Sequence, residues 1–308
     1  MFCSLRRDSR ISKNRHLEAT EAMIKLHCLG AGAGVTAIYN GEPSSSWALS
    51  MRGKPFFLAD LGVGVCKSAL KHLGCIPSTI FVSHNHSDHA AELPVVLAVE
   101  GLQRKRLMQV VAAPEVLSRL QSHRMHELQS SGHQIDDFAR WVDAPEEATI
   151  ELETDVNTMK LTAHRSRHSE TCFGAFLELG GLRIGWTADS GFSQGLLDRL
   201  SRNSQLLIVD ARAVGGPEHA SFQDIVEYVS SKPDLDFLGV RPEQSQCQVA
   251  VIGYGAQSES PSSEDLPSSA VLRPGDVIEF CEDTLRPYRC TATTSNCGSR
   301  VLLCGWCQ

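Results

Sequence analysis

Short apolar runs alternate with polar turns along the first third of the chain. Residues 24–29 are predicted to form a short strand that a glycine-rich turn at 30–34 closes, and residues 65–73 have apolar side chains at helical spacing with Gly74 as a stop. Further strand-like runs lie at 55–60, 79–83 and 107–113, and a helix is predicted from Pro114 to about Gln129. The pattern predicts a β-rich first half with interleaved helices.

A second β-rich half is predicted after residue 148. Its strands are expected at 148–153, 158–163, 172–179 and 182–187. Gly180 and Gly181 form the hairpin turn between the last two of these strands. A strand, a helix and a strand follow at 206–209, 222–229 and 249–252, and residues 271–280 can return as one more strand.

Composition divides the chain into three parts. Residues 1–22 are basic and serine-containing, which predicts a disordered tail, with a mitochondrial presequence as the alternative. Residues 23–282 are long enough for one large α/β domain, in which the Ser-, Glu- and Pro-rich stretch 257–269 is expected to be a mobile loop. Residues 283–308 are rich in cysteine. Their Cys304-x-x-Cys307 suits a zinc knuckle or redox chemistry, although free thiols are the favoured interpretation.

The net charge and the hydropathy of the chain limit the kinds of binding partner that we expect. The net charge of −7 gives no broad cationic surface for long nucleic acid, so a small substrate is favoured and RNA is not. No apolar run reaches the ~18 residues that span a bilayer, so we expect a cytoplasmic protein that does not bind membranes. The oligomeric state is open, and a homodimer is possible.

The chemistry is concentrated in residues 83–89, which read Ser-His-Asn-His-Ser-Asp-His directly after a predicted strand. Neutral imidazole together with carboxylate suits zinc and related divalent ions, Mn²⁺ and Fe among them. Positions i and i+2 of an extended segment project to the same side, so His84 and His86 can share one metal ion, while Asp88 and His89 can turn towards a neighbouring ion. The alternative is a polar loop without a metal.

This His-x-His-x-Asp-His motif after a strand resembles the signature of the metallo-β-lactamase superfamily. The resemblance implies a four-layer αββα sandwich and a hydrolase that uses one or two zinc ions. Asp60-Leu-Gly62 is similar to the Asp-x-Gly turn that the superfamily has one strand upstream. There Asp60 either supports a metal ligand or simply caps a turn.

The same resemblance implies ligands further along the chain. His168, just before a predicted strand, fits the third histidine of the first metal, and His164 is its competitor. Asp189 in Thr-Ala-Asp-Ser-Gly resembles the bridging aspartate, with a plain turn residue as the alternative. His219, nine residues after Asp210, resembles the His-Ser/Thr element with which ribonuclease Z and its relatives protonate a leaving group. A helix-start histidine without a role is the alternative there.

One element of the superfamily pattern is missing. Gly253 stands at about the position of the last ligand histidine, and no histidine follows His219. The protein ligands that remain for the second metal are Asp88, His89 and Asp189. Tyr254, a late cysteine or His219 could fill the gap, and replacing Gly253 with His is predicted to raise metal content. A dinuclear enzyme with a substituted ligand, a mononuclear enzyme and an inactive relative all stay open.

The resemblance is nearest to ribonuclease Z and the small phosphodiesterases, because of the short interval from His168 to Asp189 and the Leu93-Pro94 pair after the motif. It implies that a metal-activated hydroxide, oriented by Asp88, attacks a small phosphoester while His219 protonates the departing oxygen. The short interval leaves no room for a tRNA-gripping insertion. The alternatives are a thioester or lactone hydrolase and a non-catalytic protein of the same fold.

Overall fold

Two mixed β-sheets form the centre of the protein in the computed structural model, which describes residues 24–34, 39–280 and 284–290. The predicted tail at 1–22 and the Cys304-x-x-Cys307 motif lie outside these residues. None of the described helices is long and apolar enough to cross a bilayer.

The described residues form sixteen strands. In chain order they are β1 (Ile24–Gly30), β2 (Ser46–Met51), β3 (Lys54–Ala59), β4 (Thr79–Phe81), β5 (Met108–Ala112), β6 (Ala139–Asp143), β7 (Thr149–Glu153), β8 (Thr158–Arg165), β9 (Phe173–Leu179), β10 (Leu182–Trp186), β11 (Leu206–Arg212), β12 (Ala220–Ser221), β13 (Leu235–Phe237), β14 (Cys247–Ile252), β15 (Val277–Phe280) and β16 (Pro287–Cys290). The first sheet has the order β16-β15-β1-β2-β3-β4-β5-β6, and the second has the order β13-β14-β11-β10-β9-β8-β7 with β12 beside β11.

Seven α-helices accompany the sheets in the described part of the chain. They are α1 (Val65–Leu73), α2 (Ser87–Ala90), α3 (Leu93–Ala98), α4 (Pro114–Arg119), α5 (His126–Ser130), α6 (Gln194–Ser201) and α7 (Phe222–Ser230). Wider π-helical turns extend α3 over Val99–Gln103 and α4 over Leu120–Arg124, and short 3-10 turns lie at Ile135–Asp137 and Gln257–Glu259. Helix α1 packs on β1, α4 on β5 and β6, α6 on β10 and β11, and α7 on β11 and β13.

Aromatic side chains join the two sheets face to face. Trp47 of β2 and Phe81 of β4, both from the first sheet, meet Trp186 of β10 with ring centroids 5.7 and 6.1 Å apart, both edge to face. Trp47 and Phe81 are fully buried and Trp186 nearly so. Large buried aromatics contribute strongly to a core, and the edge-to-face geometry is a favoured one. With helices outside the sheets, the predicted αββα sandwich is confirmed.

Most predicted elements are present with shifted ends. Leu179 pairs with Leu182 across Gly180 and Gly181, which both have positive φ as a tight hairpin turn requires. The helix predicted from 114 to 129 is interrupted, because the chain widens into a π-helical turn and leaves helical geometry at Met125 (φ −85°, ψ 0°). Strands β2, β6, β12, β13 and β16 were not predicted.

Parallel strands bring the chemical residues to one edge of the sandwich. In the first sheet β3, β4 and β5 run parallel, and in the second β10, β11 and β14 do. Asp60, Ser83, Asp189, Asp210 and Gly253 lie at or just beyond the carboxyl ends of these strands. Because parallel strands end at the same edge, this is where ligands of open α/β sheets commonly bind.

Candidate metal centre

Three imidazoles form the first cluster. Each of His84, His86 and His168 has a ring nitrogen within 4.8 Å of one in each of the others, and His168 Nε2 lies 3.2 Å from His86 Nδ1. Two nitrogens on a tetrahedral zinc ion, each about 2.1 Å from it, are about 3.4 Å apart. The structure therefore brings together the three histidines that the sequence predicted for one ion, and their spacing fits it.

His84 is prepared for such a role by Ser83. The Ser83 hydroxyl donates to Asp60 Oδ2 at 2.7 Å, so His84 Nδ1–H donates to Ser83 Oγ at 2.9 Å. This places the proton on Nδ1 and leaves Nε2 with a free lone pair. Nε2 is buried without a hydrogen-bond partner among the described residues, and such orphans are rare unless an ion or water occupies them. Burial holds the pKa of His84 well below its usual value, so the ring is neutral.

A second cluster lies beside the first and is centred on His89. His89 Nε2 lies 3.3 Å from Asp189 Oδ2 and 3.6 Å from Asp88 Oδ2. Burial alone would lower the pKa of His89, but the carboxylates of Asp189 and Asp60 outweigh it and hold the pKa well above its usual value. One donor atom from each of His84, His89 and Asp189 also lies within 4.8 Å of the other two, close enough to bind one ion. Asp189 thus lies beside His84 of the first cluster and His89 of the second, and its bridging role stays a prediction.

The loop that carries the motif is held by groups that the sequence did not reveal. Gly34 N–H donates to Asp88 Oδ2 at 2.8 Å. Arg124 Nε donates to Asn85 Oδ1 at 2.9 Å, and its Nη2 donates to the Asn85 carbonyl at 2.7 Å. Gly34 and Arg124 are far from residues 85–88 along the chain, so the spacing of residues within the motif could not predict these contacts.

The Asp-x-Gly turn and the Asp189 motif are both under local backbone constraint. Asp60 has φ 62° and Ala188 has φ 52°, values that residues with a Cβ rarely adopt. Such conformations persist where the surrounding structure imposes them, and they concentrate at functional sites. A Cβ at Gly62 would overlap the carbonyl oxygen of Asp88, so only glycine allows this turn to approach the metal-binding loop so closely.

His219 and Asp210 form a pair beside the two clusters. His219 Nδ1 lies 2.7 Å from Asp210 Oδ2 and 3.9 Å from Asp189 Oδ2, and its ring centroid is 5.5 Å from that of His168. Burial alone would lower the pKa of His219, but the hydrogen bond and charge of Asp210 raise it. Burial, followed by the charge of Asp189, raises the pKa of Asp210 to about 6. His219 therefore lies where sequence reasoning expected it, and Asp210 is the partner that was missed.

The structure does not bring two other sequence candidates to the centre. His164 lies on β8 near Arg199, Glu146 and Glu147, and it belongs to none of the possible metal-binding groups among the described residues. The charged neighbours that affect Tyr254 are Cys28, Arg273 and Asp276 rather than residues of the two clusters. The groups that affect the pKa of Tyr254 thus lie outside the two clusters, and His168 is the better placed of the two histidines.

The space beside Gly253 is occupied. Gly253 has φ +78°, and a Cβ built on it would overlap Asp210 Oδ1. Asp210 is 3% exposed and is anchored by His219, so it cannot move aside cheaply. The structure therefore argues against the predicted gain in metal content from Gly253→His.

The αββα sandwich, with histidine and aspartate clusters at one edge, makes this a metallo-β-lactamase fold protein. The sequence model of one family, described as Anti-Pycsar protein Apyc1, matches residues 24–233, which is more than half of the chain. The chain belongs to this Apyc1 family of anti-Pycsar proteins. No curated protein sequence matches the chain.

Solved structures share the fold at low sequence identity. YhfI from Bacillus subtilis, a metallo-β-lactamase fold protein, has a TM-score of 0.60 and 14% identity over 82% of this chain and 98% of its own. Zn²⁺-bound PqqB from Methylobacterium extorquens has a TM-score of 0.59 and 13% identity over 83% and 100%. The short form of human tRNase Z has a TM-score of 0.53 and 18% identity over 76% and 94%. At such identities these structures support the fold alone.

Proposed function

We propose that this protein is a metal-dependent phosphodiesterase that hydrolyses a small phosphodiester. The observation that carries the proposal is the orphaned, buried Nε2 of His84 within a cluster of imidazole nitrogens at the carboxyl ends of the strands. Together with the fold, these clusters fit a metal-dependent hydrolase. Fold alone does not select the reaction, so the choice of substrate rests on the residues around the clusters.

Six residues would hold the metal. His84, His86 and His168 suit the first ion, whereas Asp88, His89 and Asp189 suit the second. Zinc is the ion that we propose, because the donors are imidazole and carboxylate and because the matched PqqB structure is Zn²⁺-bound, although Mn²⁺ and Fe accept the same donors. A bound divalent ion supplies Lewis acidity and lowers the pKa of water to about 7.

The chain's own residues orient the nucleophile and supply a proton. Asp88 accepts a hydrogen bond from Gly34 N–H, which fixes its carboxylate beside His89 and lets it orient an attacking water. His219 is only partly buried, and Asp210 keeps its imidazole protonated at higher pH than usual. A protonated imidazole near the clusters is suited to donate to a departing alkoxide oxygen. A thiolate leaving group needs no such donor, which favours a phosphodiester over a thioester.

The structure around the clusters favours a small substrate. The segment between His168 and Asp189 contains only strands β9 and β10 and their turns, so it holds no extended arm. The acidic net charge also disfavours long nucleic acid. One matched neighbour is a tRNase by name, so we propose that phosphoester chemistry is shared with it while tRNA itself is not the substrate.

The test combines metal analysis with turnover. Protein purified without added metal is analysed for bound elements and assayed with bis(p-nitrophenyl) phosphate, a thioester and a lactone, before and after zinc loading. We expect zinc-dependent hydrolysis of the phosphodiester, loss of both metal and turnover in His84→Ala, and neither loss in the matched control His123→Ala, whose side chain is exposed. Faster turnover of the thioester or lactone would contradict the proposal. Metal-loaded protein inactive on all three would indicate a non-catalytic relative.

A further inference from the structure

Asp210 has one satisfied and one orphaned oxygen. Oδ2 accepts the hydrogen bond from His219 Nδ1 at 2.7 Å, whereas Oδ1 is buried and has no partner among the described residues. The backbone of Asp210 is fixed as well, because its N–H donates to Thr187 Oγ1 at 3.0 Å, two residues before Asp189. A buried carboxylate oxygen without a donor costs free energy that a bound cation would offset.

Asp210 also lies against the place where the superfamily pattern loses its last histidine. Its Oδ1 fills the space that a side chain at Gly253 would enter. β11 and β14 are parallel neighbours, with Asp210 paired to Ile252, which precedes Gly253. The Asp210 carboxylate, near the end of β11, therefore occupies the space that a side chain at position 253, just after β14, would enter.

Asp210 and Asp189 are two buried carboxylates that approach each other. Oxygen atoms of both and a nitrogen of His219 lie within 4.8 Å of one another, which is coordination range for a single ion. Two negative charges in a buried site repel each other unless a cation lies between them. His89 Nε2 lies beside Asp189 at 3.3 Å, whereas the close contact of His219 is to Asp210 Oδ2, so Asp210 Oδ1 faces neither imidazole at hydrogen-bond distance.

We propose that Asp210 Oδ1 is a ligand of the second metal ion and replaces the missing histidine. The second ion would then have Asp88, His89, Asp189 and Asp210 as its protein ligands. Through Oδ2 the same carboxylate positions His219, so a single residue links metal binding to the proton donor. This inference rests on the proposed function only in requiring a metal centre, and it holds for any substrate.

The test measures metal binding rather than turnover. Zinc binding to the full chain is measured by equilibrium dialysis with elemental analysis, and Co²⁺ loading is followed by visible absorption. Asp210→Asn is the main variant, because it keeps the shape of the side chain and its hydrogen-bond acceptor for His219. Asp198→Asn makes the same chemical change at a partly exposed position away from the clusters, and His219→Gln removes the imidazole but leaves Asp210.

We expect the wild type to bind two ions. Asp210→Asn should keep the first ion and lower the affinity for the second by about 100-fold, which is the upper end of the loss measured when a residue that only supports a metal ligand is removed. His219→Gln and Asp198→Asn should bind two ions as the wild type does. Unchanged zinc binding in Asp210→Asn would overturn the assignment of Asp210 as a ligand, and so would an equal loss of affinity in His219→Gln. A wild type that binds only one ion would also overturn it, but would still allow a mononuclear phosphodiesterase. Two bound ions without turnover would refute the proposed function and leave the assignment of Asp210 standing.

Discussion

Asp60 accepts a hydrogen bond from His89 Nδ1–H at 2.5 Å, although 29 positions separate the two residues along the chain. The same carboxylate accepts hydrogen bonds from the N–H and hydroxyl of Ser83, so within the described part of the chain its hydrogen bonds are to residues 83–89, which carry the motif. The bond to Nδ1 turns Nε2 of His89 towards Asp189. Asp60 therefore contacts a ring that we propose as a metal ligand, which favours the supporting role among the two that the sequence left open for it.

Replacing Asp60 with Asn should weaken the second metal ion. The amide can present its NH₂ group to Nδ1, which favours the wrong tautomer of His89, and loss of such an orienting partner costs about 10- to 100-fold in metal affinity. Equilibrium dialysis against zinc measures the change, with Asp198→Asn as the matched control. An unchanged affinity would mean that Asp60 serves the turn alone.

The sequence was most informative where the chemistry is local. Four of the proposed ligands lie within residues 84–89, so a single extended segment and its turn determine their arrangement. His168 and Asp189 could be predicted because each flanks a well-marked strand. Asp210, which we propose as a further ligand, was not a candidate from the sequence, because its position beside Gly253 depends on β11 pairing with β14 and a linear pattern does not specify which strands are neighbours.

The missed strands have a similar physical origin. β2 is buried on both faces, so its serines do not alternate with apolar residues as they would on a strand with one wet face. Ser46 instead donates to the carbonyl oxygens of Ala59 and Asp60 inside the protein. β6 lies at the edge of its sheet and its residues range from buried to exposed, so the alternation of apolar and polar residues along it is weak. Buried polar residues can be interpreted only once their partners are known.

Gly62→Ala should disrupt the metal-binding loop. An added Cβ would overlap the Asp88 carbonyl oxygen, and relief would require backbone movement rather than a side-chain rotation. We expect a loss of about 1 to 3 kcal/mol in the free energy of unfolding together with reduced metal content. Denaturant unfolding and elemental analysis measure the two effects.

The control for this substitution is Gly195→Ala in α6, where the nearest atom is the flexible end of Arg199 at 3.9 Å. Alanine favours a helix by up to about 1 kcal/mol over glycine, so this variant should be neutral or more stable. If both variants unfold alike, close approach at Gly62 is not the constraint that we describe.

His27 should make stability depend on pH independently of the metal centre. Burial, with a smaller effect from Lys25, lowers the pKa of His27 from 6.5 to about 4. The folded state therefore binds fewer protons than the unfolded state between these values. Its contribution to stability is complete above pH 6.5 and is lost as pH falls towards 4.

We expect the wild type to lose about 2 kcal/mol more than His27→Gln between pH 7 and pH 4, allowing for partial exposure of the ring. Glutamine does not titrate there and can still bond to Ser50, whose Oγ lies 2.8 Å from His27 Nε2. Urea unfolding of both proteins at several pH values gives the difference directly. Parallel stability curves would show that the proton uptake belongs to other groups.

Arg124 should hold the metal-binding loop through its guanidinium rather than through charge alone. It reaches Asn85 Oδ1, the Asn85 carbonyl and, at 3.2 Å, Ser87 Oγ, and therefore holds the loop on both sides of His86. A lysine keeps the charge but cannot make this planar set of contacts. We therefore expect Arg124→Lys and Arg124→Gln to lower zinc affinity by a similar factor of about 10, the lower end of the cost of losing such a support. Equilibrium dialysis against zinc distinguishes the effect of the charge from that of the planar contacts. If Arg124→Lys keeps the wild-type affinity and Arg124→Gln loses it, the positive charge near Asp88 matters and the contacts to Asn85 and Ser87 do not.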